Sequence, residues 1–548
     1  MAGILFLSVT ITSSAQDLFN FSGTVQDENG ATLPGVNVVL KGTTKGTVTD
    51  ANGAFKLTID NQSGTFTFSM IGYESTDKVL KSGVKETIVM KESVVGLEEV
   101  LVVGYGMQKR ANITGAISNV NSKDLAQLPT TTVGQALQGR IAGVNVSSTS
   151  GAPGSTQKVV IRGVATNTNT QPLYVIDGMV SGNIDNIDPN DVESITVLKD
   201  AASAAIYGAE AANGVVLVTT KSGSKGTGRL EYTMQIGSQS IGKYTEPMNA
   251  ESYKTWLNEA NVGIEINEGA NLNTNWMEET LNPALLQRHH LAFNGATETG
   301  FYYISGSYTG QNGVIGGDKS HYERFSMRTN ITQQVKPWVK AGANLSYNHI
   351  NKNSITEDSE YGGIVSSALM MDPLTPVTYS GALPSFAQDA LNAGNTLLRN
   401  SDGLYYGLSP YVKGEIANPL ALIELAKGGT TEDKFMGNMF LTLGDKSWKG
   451  FHITTRASAD INNQLFHTWY PTYWFSSERM NSQANLRDNT NAWFTWMWEN
   501  YVSYDNTFGK HNISAVAGIS AKQYTHKYIN TFSGPMFSED DNYAQQGS

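Results

Sequence analysis

The 548-residue chain contains no cysteine, which excludes disulfides, thiolate metal sites and cysteine nucleophiles. Histidine is scarce as well. The first of eight is His289, so nothing before it can use an imidazole as a base or metal ligand. Charged residues make up only 16% and balance at -11, which removes the electrostatic basis for gripping phosphate backbones; nucleic acid is not an expected partner. No stretch approaches the roughly 18 consecutive apolar residues of a membrane-spanning helix, so any membrane crossing must be built from strands. What is abundant is glycine, at 55, and tyrosine, at 24, as in a large β protein with much polar surface. The length suggests roughly three or four folding units.

At the N-terminus, Ile4 to Val9 is mostly apolar and runs into Thr12-Ser13-Ser14-Ala15, a small-residue stretch that suits cleavage before Gln16. A clipped signal peptide is therefore expected over residues 1–15. Over residues 18–92, short alternating runs such as Val36 to Leu40, Ala54 to Leu57 and Phe66 to Ser69 recur between turn signals, a pattern of small β-sandwiches. The loop Thr49-Asp50-Ala51-Asn52-Gly53 has the opening of a calcium loop but lacks its later glutamate, and Asn-Gly favours a hairpin turn instead. Leu33-Pro34-Gly35-Val36-Asn37-Val38, Gly46 to Asp50, Gly53-Ala54-Phe55 and Ile71-Gly72-Tyr73 resemble the carboxypeptidase regulatory-like domain. That resemblance implies a transthyretin-like sandwich without catalytic residues.

The segment Leu97 to Gly106 marks the change of composition between this unit and the rest. Val100 to Val103 has high strand propensity, is too short for a core of its own, and has flanking glycines that can release it from either neighbour. In isolation an ordinary linker strand is the simpler reading. The other is an extended segment that adds to the sheet edge of a partner.

Residues 111–222 read as one α+β domain. Val133 to Leu137 fits a short helix, Leu173 to Ile176 a buried strand closed by Asp177-Gly178, Asp200 to Tyr207 an alanine-rich helix, and Val215 to Thr220 an apolar strand launched by Asn213-Gly214. Ser150 to Ser155 is glycine-rich but has no Gly-Lys-Ser/Thr ending, so it reads as a turn rather than a phosphate loop. Ser150 to Gly154, Ile161-Arg162-Gly163, Tyr174 to Gly178, Val192 to Gly208 and Ala211 to Val215 together resemble the plug of SusC-type TonB-dependent transporters. One position departs from that pattern: the family usually has arginine where this chain has Glu210, which reverses the local charge. Arg140 and Arg162 are expected to be structural ion-pair members or wall contacts.

Over residues 229–548 the period turns to two, in segments of about ten residues, the pattern of transmembrane barrel strands. Leu230, Tyr232, Met234 and Ile236 oppose Glu231, Thr233 and Gln235; Ile453, Thr455, Ala457, Ala459 and Ile461 oppose Arg456, Ser458 and Asp460. A soluble sandwich also alternates, but here short turns near Glu298, Val335 to Pro337, Asp445 to Lys449 and Asn506 to Lys510 interleave with longer loops at Ser238 to Leu286, Gln311 to Lys319, Lys352 to Thr431 and Gln464 to Arg487. About nine strands are expected, ending with His511 to Tyr528. The fold class is mainly β: a sandwich, an α+β plug and the first part of an antiparallel barrel. Plugged transporters have about 22 strands, so the chain is expected to be the N-terminal part of a longer protein.

Phe494, Trp496, Trp498 and Val502 share one face, suited to an interfacial girdle. Trp469, Tyr470, Tyr473, Trp474 and Trp493 are candidate stacking residues for substrate, with packing of the loop on itself as the competing role. His289 and His290 point to opposite faces, so no shared metal is expected, and no cofactor either. No coherent set of acid, base and nucleophile suggests an enzyme. The resemblance implies TonB-dependent import of a large polar nutrient, glycan first and peptide next, across an outer membrane. It also implies a SusD-like surface lipoprotein, TonB with ExbB and ExbD, and outer-membrane lipid as partners, and a TonB box at Leu97, Glu98, Glu99, Val100, Leu101, Val102, Val103 and Gly104. A TonB-dependent receptor for iron chelates is the nearer rival and a secreted β-rich adhesin the farther one.

Overall fold

The computed structural model describes residues 18–536 except 28–29, 42, 44, 61, 71–72, 74, 92–99, 104–105, 110–116, 123–129, 165–168, 224–227, 262, 264–271, 358, 360–361, 413, 426, 445 and 510. The expected signal peptide, and Leu97, Glu98, Glu99 and Gly104, lie outside the described residues. The chain divides into two compact units, 1–100 with 109–112, and 101–108 with 113–548.

The first unit is a β-sandwich. β1 (Phe19–Asp27) lies between β4 (Ala54–Ile59) and β7 (Lys85–Met90) in one sheet; β2 (Asn37–Leu40), β3 (Gly46–Val48), β5 (Ser63–Ser69) and β6 (Thr76–Lys81) make the other in the order β3-β2-β5-β6. Alternation places Phe21, Val25, Val38, Phe55, Phe66, Phe68 and Ile88 in the layer between the sheets, where Phe21 packs on Phe66 at 5.0 Å and Phe55 on Phe68 at 5.4 Å. The loop at Asp50 is the expected turn: its carboxylate accepts the backbone N–H of Asn52 and Ala54, both at 2.9 Å, and Gly53 takes a positive φ of 71°.

Val100–Val103 (β8) and Gly106–Lys109 (β9) form a separate two-stranded sheet. The segment expected to be an unattached strand is therefore paired with the residues that follow it.

In the second unit, a five-stranded sheet carries the plug. Its strands are β10 (Ile117–Asn121), β13 (Leu173–Ile176), β14 (Met179–Ser181), β15 (Val192–Leu198) and β16 (Val215–Thr220), in the order β10-β15-β16-β13-β14; β11 (Val144–Ser148) and β12 (Gln157–Ile161) form a hairpin beside it. The central strand β16 reads Val-Val-Leu-Val because both its faces are covered, by two apolar clusters that include Val197, Val216 and Val218 on one side and Val215 and Leu217 on the other.

Around the plug runs one antiparallel sheet of nine strands in chain order. They are β17 (Arg229–Gln239), β18 (Ala284–Ala296), β19 (Gly300–Gly313), β20 (Gly317–Lys336), β21 (Val339–Asn353), β22 (Lys427–Leu443), β23 (Phe451–Tyr470), β26 (Asn485–Phe508) and β27 (His511–Ser533), with a two-residue pair, β24 (Tyr473–Trp474) and β25 (Met480–Asn481), in the last long loop. The sheet is open, with β17 and β27 at its edges. Its polarity is inverted relative to a soluble protein. Outward positions such as Leu230, Phe325, Met327, Ile331, Met439 and Trp498 are exposed, whereas inward Arg288, His290, Ser305, Arg324, Arg328 and Asn330 are buried. On β20 the exposed apolar face runs from Phe325 to Val335, roughly 25 Å of height at a tilt of about 40°. Trp338, Trp448, Phe451 and Phe508 are exposed at the short-turn rim, and Trp498 and Phe494 are exposed on the outer face as expected.

One expected loop is corrected. Gln311 to Lys319 carries glycines and reads as a long connection, but the ladder between β19 and β20 continues to Asn312↔His321 and Gly313↔Gly317, leaving only residues 314–316 to turn. The long-loop strands also extend further than expected, β20 and β23 to 20 residues each, more than the 9–11 that cross a bilayer. The described residues of 355–425, with Ile315 and Phe475, form a compact body with its own apolar core. Asn418 ties that body together, since its amide donates to the carbonyls of Val377 and Gly407 while its oxygen caps the following helix at Leu420 and Ala421.

Truncating the sandwich core by Phe66→Ala is expected to cost about 3–5 kcal/mol. The check is chemical denaturation followed by hydrogen exchange, with the loss confined to residues 18–91.

Candidate functional site: the seat of the plug

The contact between plug and wall is polar and is built from three short local structures of the plug. Asp188-Pro189-Asn190-Asp191 is a helix-start signature: Asp188 accepts the Asn190 N–H at 2.8 Å, Pro189 presets the first turn, and one short 3-10 turn results. That turn fixes Asp191. A single carboxylate oxygen of Asp191 accepts from His290 Nε2 at 2.8 Å, Tyr303 Oη at 2.8 Å and Ser305 Oγ at 2.7 Å, on the adjacent strands β18 and β19. All four side chains are buried. Burial pushes the Asp191 carboxyl up, but the hydrogen bond and charge of His290, with Arg328 and Ser305 behind them, outweigh this and hold it below the usual carboxylate range.

Asp177-Gly178 is the second structure. Both residues have positive φ, 48° and 85°, so β13 and β14 are joined by a type I′ turn. Asp177 accepts the N–H and hydroxyl of Thr220 at 2.9 and 2.7 Å and takes a buried ion pair from Arg328 on β20. A Cβ at Gly178 would also lie 2.1 Å from a guanidinium nitrogen of Arg456 on β23, so that flexible side chain would have to shift. The third structure is the loop before the helix at Val133–Ala136, whose carbonyls at Thr130 and Thr131 accept from Arg288 at 2.5 Å and Arg324 at 3.5 Å; Arg324 also reaches the Asp185 carbonyl at 2.5 Å. Lys434 on β22 reaches Ser181 at 3.3 Å and pairs with Asp460 at 3.5 Å. Between these groups lies a cavity of about 20 Å³, lined by Ser181, Asn183, Asp188, Asp191, Arg328 and Lys434 and the size of one water.

The cations of this seat come from the wall, while acceptors come from both sides: Asp177, Asp191 and the carbonyls of the plug, and Asp460 and Glu432 of the wall, which accept from Ser181 at 3.2 Å and Asn186 at 3.4 Å. The two plug arginines singled out from the sequence do not take part: Arg140 and Arg162 are exposed, and no ion pair involves either of them among the described residues. Their expected ion-pair role is corrected accordingly. Glu210, by contrast, meets a wall cation, pairing with Lys522 of β27 at 2.6 Å. Both groups are solvent-accessible, so the pair sets charge matching more than stability. His290 is the buried seat residue, and His289 faces outward between Tyr232 and Tyr308, each at 6.3 Å.

The aromatic candidates separate. Trp469 is buried against Ala484 and Leu486, and Tyr473 and Trp474 pack against the loop body's core, so these three serve loop packing. Tyr470 is exposed, and Trp493 stacks on His526 at 4.9 Å and 8°. Sequence reasoning missed Asp177, Asp191, Arg288 and Arg324 as a set. The available signal was charge at inward positions of strictly alternating strands, repeated on neighbouring strands.

Two family models match the chain: the TonB-dependent Receptor Plug Domain over residues 109–215 and the CarboxypepD_reg-like domain over residues 21–102. The TonB-dependent receptor P39 of Formosa agariphila is 31% identical over 537 residues, covering 96% of this chain and 48% of that protein. The TonB-dependent receptor SusC of Bacteroides thetaiotaomicron is 29% identical over 547 residues, covering 96% of this chain and 52% of that one. The chain is similar over nearly all of its length to SusC-type TonB-dependent receptors. In fold, the chain is similar to the RagAB peptide importer in its open-open state, with a TM-score of 0.69 at 23% identity over 82% of this chain and 52% of that one. It spans about half the length of the curated relatives it matches. Its relatives are receptors and transporters, not enzymes.

Asp191→Ala leaves three buried donors facing one another and is expected to destabilise the plug's seating by about 3–5 kcal/mol. The readout is hydrogen exchange over residues 173–221. Because the folded carboxyl sits below its unfolded value, its stabilisation is fully present above about pH 4 and is lost as the pH falls through the folded value. The wild-type plug should therefore loosen on acidification, and Asp191→Asn should flatten that dependence.

Proposed function

We propose that this receptor imports a large polar nutrient across the bacterial outer membrane, driven by TonB with ExbB and ExbD and served by a SusD-like surface lipoprotein. Oligosaccharide is the first substrate class and peptide the second. The observation that carries the reading is the seated plug: a folded domain held inside a sheet by polar contacts blocks diffusion, and shifting it requires local opening driven from outside. The exposed apolar band of the sheet supports a lipid-facing wall. In this reading the long-loop rim faces the cell exterior, and the sandwich and the segment Leu97 to Gly104 face the periplasm. The domain plan is a leader at 1–15, sandwich at 18–92, coupling segment at 97–106, plug at 111–222 and wall from 229. Tyr470 and Trp493 remain the candidates for substrate contact.

TonB takes hold by strand addition to Val100–Val103, with backbone bonds giving affinity and side chains giving register. Deleting Leu97 to Val103 from the full-length protein is expected to leave its assembly in the outer membrane intact and abolish uptake. Unchanged uptake would overturn the coupling role. Binding of neutral oligosaccharides but not of iron chelates is the expected pattern for substrate, measured by calorimetry on the full-length receptor with its lipoprotein.

A further inference from the structure

The coupling strand is not presented alone. Val100–Val103 is hydrogen-bonded to Gly106–Lys109, with residues 104 and 105 between them, and the sheet has no third strand among the described residues. A strand has two edges, so each member of such a pair keeps one edge without a strand beside it. The two remaining edges differ in chemistry. Val-Leu-Val-Val is a run of β-favouring side chains, whereas Gly-Met-Gln-Lys combines a weak strand former with an edge lysine, a residue that discourages strand addition. An added strand is thus directed to the far side of Val100–Val103.

We propose that Gly106–Lys109 is a built-in template that holds the coupling strand extended, and that a strand of the energy-coupling partner completes a three-stranded sheet on its opposite edge. The proposal rests on the reading of Val100–Val103 as the coupling strand. Its physical basis is the difference between two strands and three: an isolated hairpin is marginal in water, and a third strand brings independent stability. Ordering a free segment at the moment of binding costs affinity, and a segment already extended avoids part of that cost. The template also limits register, because a strand paired on one side has its alternation fixed before the partner arrives.

The test uses the full-length receptor in detergent and the purified periplasmic domain of TonB as the probe. Proline at both Met107 and Gln108 removes a cross-strand donor whichever of the two faces Val100–Val103, since adjacent residues face opposite edges. The double variant Met107→Pro/Gln108→Pro is expected to weaken binding about tenfold through lost preorganisation. Gln108→Thr, which raises strand propensity without breaking the pairing, is expected to tighten it two- to threefold. Unchanged affinity in both variants would overturn the template, and tighter binding by the double proline variant would show instead that Gly106–Lys109 competes for the partner's edge. Deletion of Leu97 to Val103 separates the two levels: if binding survives it, the coupling reading itself fails, whereas loss on deletion with no effect of the prolines fails the template alone.

Discussion

The structure depends on a polar contact between two bodies whose apolar surfaces are spent elsewhere. The plug buries its valines and isoleucines in its own sheet, with Met436 as the wall's one residue in the larger cluster. The wall turns its own apolar side chains outward. What remains between them is Asp191 with its three donors, Asp177 with Arg328, and a series of backbone carbonyls met by arginines. Buried pairs of this kind add little net stability, because the desolvation of both partners offsets their attraction, but they are costly to mismatch. The seat therefore specifies a position more than it glues the plug in place.

That distinction bears on movement. A plug attached through an apolar interface would expose greasy surface whenever it shifted, whereas here a shift trades protein hydrogen bonds for water hydrogen bonds at modest net cost. The plug's own core can stay closed during such an exchange. The long loops follow the opposite rule: the described residues of 355–425 are held by an apolar core and by Asn418.

Much of this was legible in the residues. The period-two segments located the wall strands, the Asp177-Gly178 and Asn213-Gly214 turns were placed where the chain reverses, and the side of His289 relative to His290 followed from alternation alone. The loop at residues 314–316 was not legible, because glycines that signal a turn also sit in a bulged ladder where Ile315 leaves to join another core. Nor was the fate of Trp469, Tyr473 and Trp474, since an aromatic in a loop reads alike whether it waits for a ligand or fills a gap between loops. Arg140 and Arg162 misled for a related reason: a guanidinium shows its own need for a partner but not which of two bodies supplies the seat's cations. The pairing of Val100–Val103 with its successor was hidden by Gly106 and Lys109, which carry weak strand signals.

The pair formed by Glu210 and Lys522 links residues 312 positions apart in the chain. Each is meaningful only through the other. A plug carrying arginine at the first position, transplanted from a relative into this wall, would bring two like charges together at the second. Such a chimera would have to exchange the lysine along with the plug or inherit a repulsion at β27.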